Sequence, residues 1–221
     1  MKGEPVKRSI AAVLLLAGAA PVLLTGPGTA RAQVNGAYSE ARVTPVNGRL
    51  GGAYLQFDRS TATLVGQLRL SFYPNFDFGF QGGLSRIDVG NNTRTSVRLG
   101  ADFRGQVASQ NASFPVNVSL GGAIGIESAD NFSLLSVGPQ ALASRTLDNA
   151  GQWVAYGGAS ILFTRFDLGN NVTNTDVSFP LRGGMEFRPN TDLRLLAEAQ
   201  LAVSDDVRDD FSVTFGVLFP F

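Results

Sequence analysis

The sequence predicts an all-β fold, an up-and-down antiparallel transmembrane β-barrel of about ten strands, with eight as the alternative count. Three observations predict it. Large apolar residues recur at every second position in segment after segment, which gives each segment two unlike faces. Turn-forming residues separate the segments, and no stretch of 3.6-residue periodicity lies between them. Beyond Ala32 no apolar run approaches the roughly 20 residues that a membrane-crossing helix needs. A chain that enters lipid must then pair all its backbone groups within a closed barrel.

Along the chain, a short basic stretch with Lys2, Lys7 and Arg8 comes first, followed by an apolar run from Ile10 to Leu24 and by small and turn-forming residues ending in Thr29-Ala30-Arg31-Ala32. That order predicts a signal peptide over residues 1–32, cleaved after Ala32 at a small-x-small site. The alternative, a retained helix, is disfavoured by Gly18, Pro21 and the glycine-rich end. Residues 33–48 read as a polar N-terminal lead, and 49–221 as a single barrel domain without a linker-like composition break. Removing the four Lys/Arg and one Glu of the signal peptide leaves 14 basic and 17 acidic residues, so the mature chain is slightly acidic. That argues against nucleic acid as a partner, which asks for a basic surface.

The alternating segments justify the strands in turn. From Leu50 runs LGGAYLQF. In LVGQLRLSF, Leu64, Leu68, Leu70 and Phe72 oppose Gln67, Arg69 and Ser71. In FDFGFQGGL, Phe76, Phe78, Phe80 and Leu84 oppose Asp77, Gln81 and Ser85. In VRLGADF, Val97, Leu99, Ala101 and Phe103 oppose Arg98 and Asp102, with Arg104 continuing the polar face. Val116, Val118, Leu120, Ile124 and Ile126 oppose Asn117 and Ser119. Two segments, from Phe132 and from Gln152, alternate less cleanly. Val177, Phe179, Leu181, Met185 and Phe187 oppose Ser178, Arg182 and Glu186, and Leu193, Leu195, Ala197, Ala199, Leu201 and Val203 oppose Arg194, Glu198 and Gln200. The last segment, FSVTFGVLFPF, places Phe211, Val213, Phe215, Val217, Phe219 and Phe221 on one face.

Pro74-Asn75 and the stretch Pro189 to Asp192 are turn signals, as are Gly90-Asn91-Asn92, Asp148 to Gly151 and Gly169-Asn170-Asn171. With an even strand count both termini lie on one side. Pro74-Asn75 and Pro189 to Asp192 then fall on the terminus side as short turns, and the longer stretches Phe166 to Asp176 and Ser204 to Asp210 fall opposite. Five glycine pairs, at 51–52, 82–83, 121–122, 157–158 and 183–184, sit inside strands and read as sites of curvature.

Alternation alone leaves open which face looks inward. Three features point the apolar face outward to lipid. After Ala32 the chain has no Lys, whereas a soluble surface interleaves many charges. Instead the polar face carries Ser, Thr, Gln and Asn with arginines and carboxylates spaced to pair, and the fork of Arg suits confined pairs. The expected lumen network is Arg69, Arg98, Asp102, Arg104, Arg182, Glu186, Arg194 and Glu198. Second, Phe72, Phe76, Phe103, Phe187, Phe211 and Phe221 lie near strand ends, where interfacial aromatic girdles belong.

The third feature is the final strand. With the signal peptide and the alternating hairpins, FSVTFGVLFPF ending in Phe221 resembles the small bacterial outer-membrane β-barrel family of OmpA-type and porin-like proteins; Pro220 departs from the usual penultimate residue. The resemblance implies an outer-membrane location, a lipid and lipopolysaccharide environment, and recognition of the last strand, through Phe211, Val213, Phe215, Val217, Phe219 and Phe221, by the barrel-assembly machinery.

Chemistry is sparse. The chain has no His and no Cys, so a Ser–His or Asp–His constellation, a His/Cys zinc site and a disulfide are all excluded. Asp205-Asp206 and Asp209-Asp210 sit in a turn and read as a solvated loop tip rather than a cation site. No catalytic, metal or cofactor-binding residues are expected, and no cofactor. The leading expectation is a non-enzymatic outer-membrane barrel with a structural or interaction role and some small-solute permeation. In a barrel this narrow, the lumen charges read first as a structural plug. Two alternatives stay open: a porin-like channel for small polar solutes, and a soluble periplasmic barrel that binds an apolar ligand, which requires the apolar face to point inward.

Overall fold

The computed structural model describes residues 38–58, 61–89, 92–130, 132–167, 173–203 and 210–221. The expected signal peptide, residues 33–37 of the lead and the acidic stretch 204–209 lie outside the described residues.

Among the described residues, eleven strands form one antiparallel sheet: β1 (Arg49–Phe57), β2 (Thr61–Tyr73), β3 (Phe76–Val89), β4 (Asn92–Ala108), β5 (Asn117–Ala129), β6 (Phe132–Thr146), β7 (Trp153–Ser160), β8 (Leu162–Asp167), β9 (Thr173–Phe187), β10 (Arg194–Val203) and β11 (Asp210–Pro220). Apart from β7 and β8, each strand pairs with its sequence neighbour, and β1 pairs with β11 from Leu50↔Pro220 to Phe57↔Val213, which closes the sheet. Because β7 and β8 both lie between β6 and β9, they are two pieces of one strand, and the barrel has ten strand positions. The register runs on unchanged through the break at Ile161. Its cause is proline on both neighbours: the register puts Pro139 of β6 opposite Ile161, and Pro180 of β9 opposite Ser160. Each proline removes one ladder donor.

Polarity is inverted relative to a soluble barrel. Leu55, Leu64, Leu68, Phe80, Leu84, Leu99, Ile124, Leu181, Leu195 and Phe215 are exposed on the outer wall, while Gln67, Arg69, Gln81, Arg98, Asp102, Gln140 and Glu198 are buried. The decisive pair is Phe215, 49% exposed, beside Thr214, 2% exposed. An inward apolar face is thereby excluded, and with it the soluble ligand-binding barrel. Aromatics crowd both rims. Phe72, Tyr73, Phe103 and Phe221 are exposed at the terminus side, and Phe57 and Phe211 at the opposite one.

The two less regular segments, which are β6 and β7–β8, carry apolar residues on both faces. Leu134, Leu142, Val154, Tyr156 and Leu162 point inward and are buried. Leu134 packs on Leu162 and Phe166. Two unlike faces produce a period of two; two apolar faces blur it.

Pro74-Asn75 joins β2 to β3 and residues 188–193 join β9 to β10 on the terminus side. Residues 168–172 and 204–209 connect strands at the other end. The expected asymmetry in length does not hold, however. On the terminus side 109–116 and 147–152 are long, while 58–60, 90–91 and 130–131 opposite are short. The 109–116 connection is long because it caps the rim. The Gln110 side chain bonds the backbone of Thr146, accepting from its amide at 2.9 Å, and the Gln110 amide donates to Asn117 Oδ1 at 2.9 Å.

Candidate functional site: a lumen filled by the chain's own lead

Strand register gathers the first charge cluster. Asp77 of β3 lies directly opposite Arg104 of β4, and Arg69 of β2 lies opposite Gly79, which is itself opposite Asp102. Arg104 grips Asp77 with Nε at 2.8 Å and Nη2 at 3.0 Å. Arg69 reaches Asp77 at 2.6 Å and Asp102 at 2.8 Å. The second of these pairs spans β3, two strands apart, and Gly79 allows it. A Cβ there would stand 2.2 Å from Asp102 Oδ2 and 2.6 Å from an Arg69 nitrogen. All four side chains are essentially out of contact with solvent, and such groups must be paired.

The described part of the lead, residues 38–48, adds no strand. Tyr38, Ser39, Glu40, Ala41 and Val43 are buried inside the barrel, and the chain then leaves through the terminus-side mouth and turns at Asn47 (φ 62°) into β1. Its backbone is held by lumen side chains. The Glu40 amide donates to Glu186 Oε1 at 2.6 Å, and the Thr44 amide to Asp77 Oδ2 at 2.8 Å. The Val43 amide donates to Gln106 Oε1 at 3.2 Å. Arg104 donates to the carbonyls of Glu40 and, at 3.3 Å, Arg42. A segment without secondary structure can lie in a barrel only if its main-chain groups find partners, and the polar inner wall supplies them.

Around Glu40 a second cluster forms. Arg188 bonds both Glu40 and Glu186, the latter at 2.9 Å. Arg42 reaches Glu40 at 3.2 Å, and Arg194 lies 3.8 Å from Glu40 and 3.7 Å from Glu186. Burial alone would raise the pKa of Glu40, but Arg42, Arg188 and Arg194 outweigh it and hold the carboxyl below its usual range.

Deeper in, tyrosines fill the bore. Tyr38 packs on Tyr54 with centroids 4.7 Å apart and ring planes tilted by 31°, and both join an interior apolar cluster with Tyr156, Val65, Leu196 and Leu218. The Tyr54 ring lies flat on the inner wall over Gly216, its cross-strand partner, where a Cβ would meet the ring at 2.2 Å. Gly184 stands in the same relation to Tyr156. At these sites glycine makes room for a ring, and the ring covers backbone that glycine leaves bare. Tyr54 donates to Gln67 Oε1 at 2.8 Å and Tyr156 to Glu198 Oε2 at 2.8 Å.

Of the residues expected in the lumen, Arg69, Arg98, Asp102, Arg104, Arg182, Glu186 and Glu198 are buried there, while the Arg194 side chain is 22% exposed at the mouth. The structure brings Arg69 to Asp102 directly and Arg104 to them through Asp77. It does not pair Arg98 with another residue of that set. Arg98 takes Glu127 of the next strand at 2.7 Å, and Ser96 bonds the same carboxylate. Asp77, Glu127, Glu40, Arg42 and Arg188 complete the network. The first two share the period that marked the others, Asp77 before Phe78 and Glu127 after Ile126. Glu40 stands in a lead with no period, so nothing in its neighbourhood signals it. On the outer wall Phe211, Phe215, Phe219 and Phe221 form an exposed row, with Val213 and Val217 half-buried between them.

No family model matches the chain, and no curated protein is similar to it in sequence. Solved structures that it resembles are outer-membrane barrels. OmpT, an outer membrane protein of Vibrio cholerae, is 10% identical with a TM-score of 0.37, over 76% of this chain and 64% of that one. The chain thus spans somewhat less than two thirds of that relative's length. KdgM porin is 8% identical with a TM-score of 0.42, over 78% of this chain and 99% of that one. An outer membrane channel from Pseudomonas putida F1 is 10% identical with a TM-score of 0.45, over 86% and 100%. These likenesses are distant, and the assignment rests on this chain's own sheet. A closed ten-position antiparallel meander, apolar outside and charged inside, is the architecture of a small outer-membrane β-barrel.

Proposed function

We propose that the protein is a non-enzymatic, integral barrel of the bacterial outer membrane, whose bore is closed at the terminus-side mouth by residues 38–47. The lead held in the lumen is the observation that carries the closed state. The apolar outer wall and its two aromatic rims support membrane insertion, with lipid and lipopolysaccharide as surroundings. Export through a peptide cleaved after Ala32 would place the terminus side in the periplasm. The exposed row from Phe211 to Phe221 supports recognition by the barrel-assembly machinery. The test has two parts. The detergent-folded chain is expected to show heat-modifiable gel mobility and to fractionate with outer membranes. In planar bilayers it is expected to be electrically silent, whereas a chain lacking residues 38–47 conducts; a full-length chain that conducts steadily overturns the closed reading.

One observation favours a second reading, a channel for small polar solutes opened when the lead moves. Gln67 Nε2, Gln140, Gln200 Nε2 and Glu198 Oε1 are buried in the lumen without hydrogen-bond partners among the described residues. Such groups are normally satisfied by water, and a hydrated lumen is what a solute path requires. Brief conducting events in the full-length chain that become continuous when the lead is removed would support this reading.

A further inference from the structure

We infer that the terminus-side mouth holds a binding site for a small oxyanion, the carboxylate or phosphate group of a solute. Between the lead and the rim lies a cavity of about 520 Å³, a size suited to a small ligand. Its wall carries four guanidinium groups, Arg42, Arg49, Arg104 and Arg194, and one side-chain carboxylate, Glu40. Arg104 is engaged by Asp77 and by the lead's carbonyls. Arg194 is not engaged in this way. Its Nη1 stands 3.8 Å from Glu40 and 3.7 Å from Glu186, inside ion-pair range but beyond hydrogen-bond reach. Arg188 already occupies both of those carboxylates at shorter range. Arg42 contacts Glu40 through Nε alone, and half of its side chain is exposed. Two carboxylates are therefore shared among three guanidinium groups, and the uncompensated charge lies at Arg42 and Arg194, on the cavity wall. An oxyanion seated between them would take their open N–H donors in the bidentate geometry that guanidinium favours. The site does not depend on the proposed membrane role, because its geometry is internal to the folded chain.

The test titrates the detergent-folded full chain with inorganic phosphate and, separately, with citrate at constant ionic strength, reading the shift in unfolding midpoint. A saturable rise is expected with either anion, weakened at least tenfold in R194Q and R42Q and unchanged in R94Q. Arg94 is a suitable control because it lies at the far end of β4 and is exposed. Heat-modifiable mobility of each variant separates loss of binding from loss of the barrel. A second arm repeats the titration in nanodiscs with and without anionic phospholipid. Phosphate binding that survives in lipid-free detergent assigns the site to a solute; stabilisation only by anionic lipid, with none by phosphate or citrate, overturns the solute assignment. The inference also fails if R194Q responds like the unaltered chain.

Discussion

The two halves of the lumen are built differently. In the half away from the termini, polar side chains bond to adjacent strands: Arg98 with Glu127, Thr63 with Ser85 at 3.0 Å, and Gln56 with Ser212 at 3.2 Å. These bonds run along the wall, and Gln56 is also reached across the bore, by Tyr38 of the lead at 3.2 Å and by Arg98 at 3.5 Å. In the terminus-side half, contacts also run from the wall to the lead, which stands in the bore. Glu40 bonds Glu186, 146 positions away in the chain, and Arg104 bonds the lead's carbonyls. The contrast teaches that charges on a barrel's inner wall do not by themselves close it. Wall charges pair sideways with strands one or two positions away; closure needs a segment down the axis that offers them main-chain and carboxylate partners.

The comparison predicts a gradient of effects. The largest is expected for Asp77→Asn, which strips a shared carboxylate from two fully buried guanidinium groups. Breaking a buried pair from one side costs about 3–5 kcal/mol, and the upper end applies here because two cations are left. The midpoint of denaturant unfolding, followed by gel mobility, measures it. Glu127→Gln, in the other half, is expected to cost about 3 kcal/mol at most, since one cation is affected and the amide can still accept from Arg98. If Glu127→Gln proved the costlier, the ranking of the halves would be reversed.

Gly79→Ala isolates the pair that crosses β3. The added methyl collides with Asp102 and Arg69, so one of them must move. A loss of about 1–3 kcal/mol, typical of overpacking, is expected. Pairing it with Asp102→Asn in a double-mutant cycle should give a strongly non-additive result. On the outer wall, Phe215→Arg is expected to cost about 2–4 kcal/mol in lipid, the penalty for arginine near mid-bilayer. The same substitution should have little effect on folding in detergent.

The smallest effect is a pH dependence. Because Glu40 ionises below its usual range in the folded state, its contribution is complete above the ordinary carboxylate range and is lost as pH falls through the depressed value. The lead should therefore stay seated from neutral pH down to ordinary carboxylate pH and loosen only in stronger acid. Fluorescence of Trp153, the chain's single tryptophan, can follow this, since its ring lies 4.6 Å from Phe187 beside Arg188. Loosening at pH 6 would mean that the Arg42, Arg188 and Arg194 cluster does not stabilise the ionised form.

Much of the wall is readable from residue order. A strand between two unlike environments must alternate, so Phe211 to Phe221, Leu64 to Phe72 and Val97 to Phe103 announce both their span and their faces. Where both environments are apolar, as at Leu134, Leu142 and Tyr156, the alternation fades although the strand remains. The break at Ile161 is less accessible still. It comes from Pro139 and Pro180, which are remote from it in sequence and become its neighbours only through the register.

Alternation, turn residues and the absence of lysine after Ala32 were enough, without coordinates, to determine a closed meander of about ten strands with arginines and carboxylates on one face. Those are local properties, set by what each residue's two nearest strand positions must face. Tertiary structure alone decided which charge meets which, that Gly79 is the gap through which Arg69 reaches Asp102, and that the lead from Tyr38 to Val43 enters the bore. These depend on register and on distances across the barrel axis. A segment held by backbone hydrogen bonds to distant side chains leaves no period in its own sequence for any reading to find.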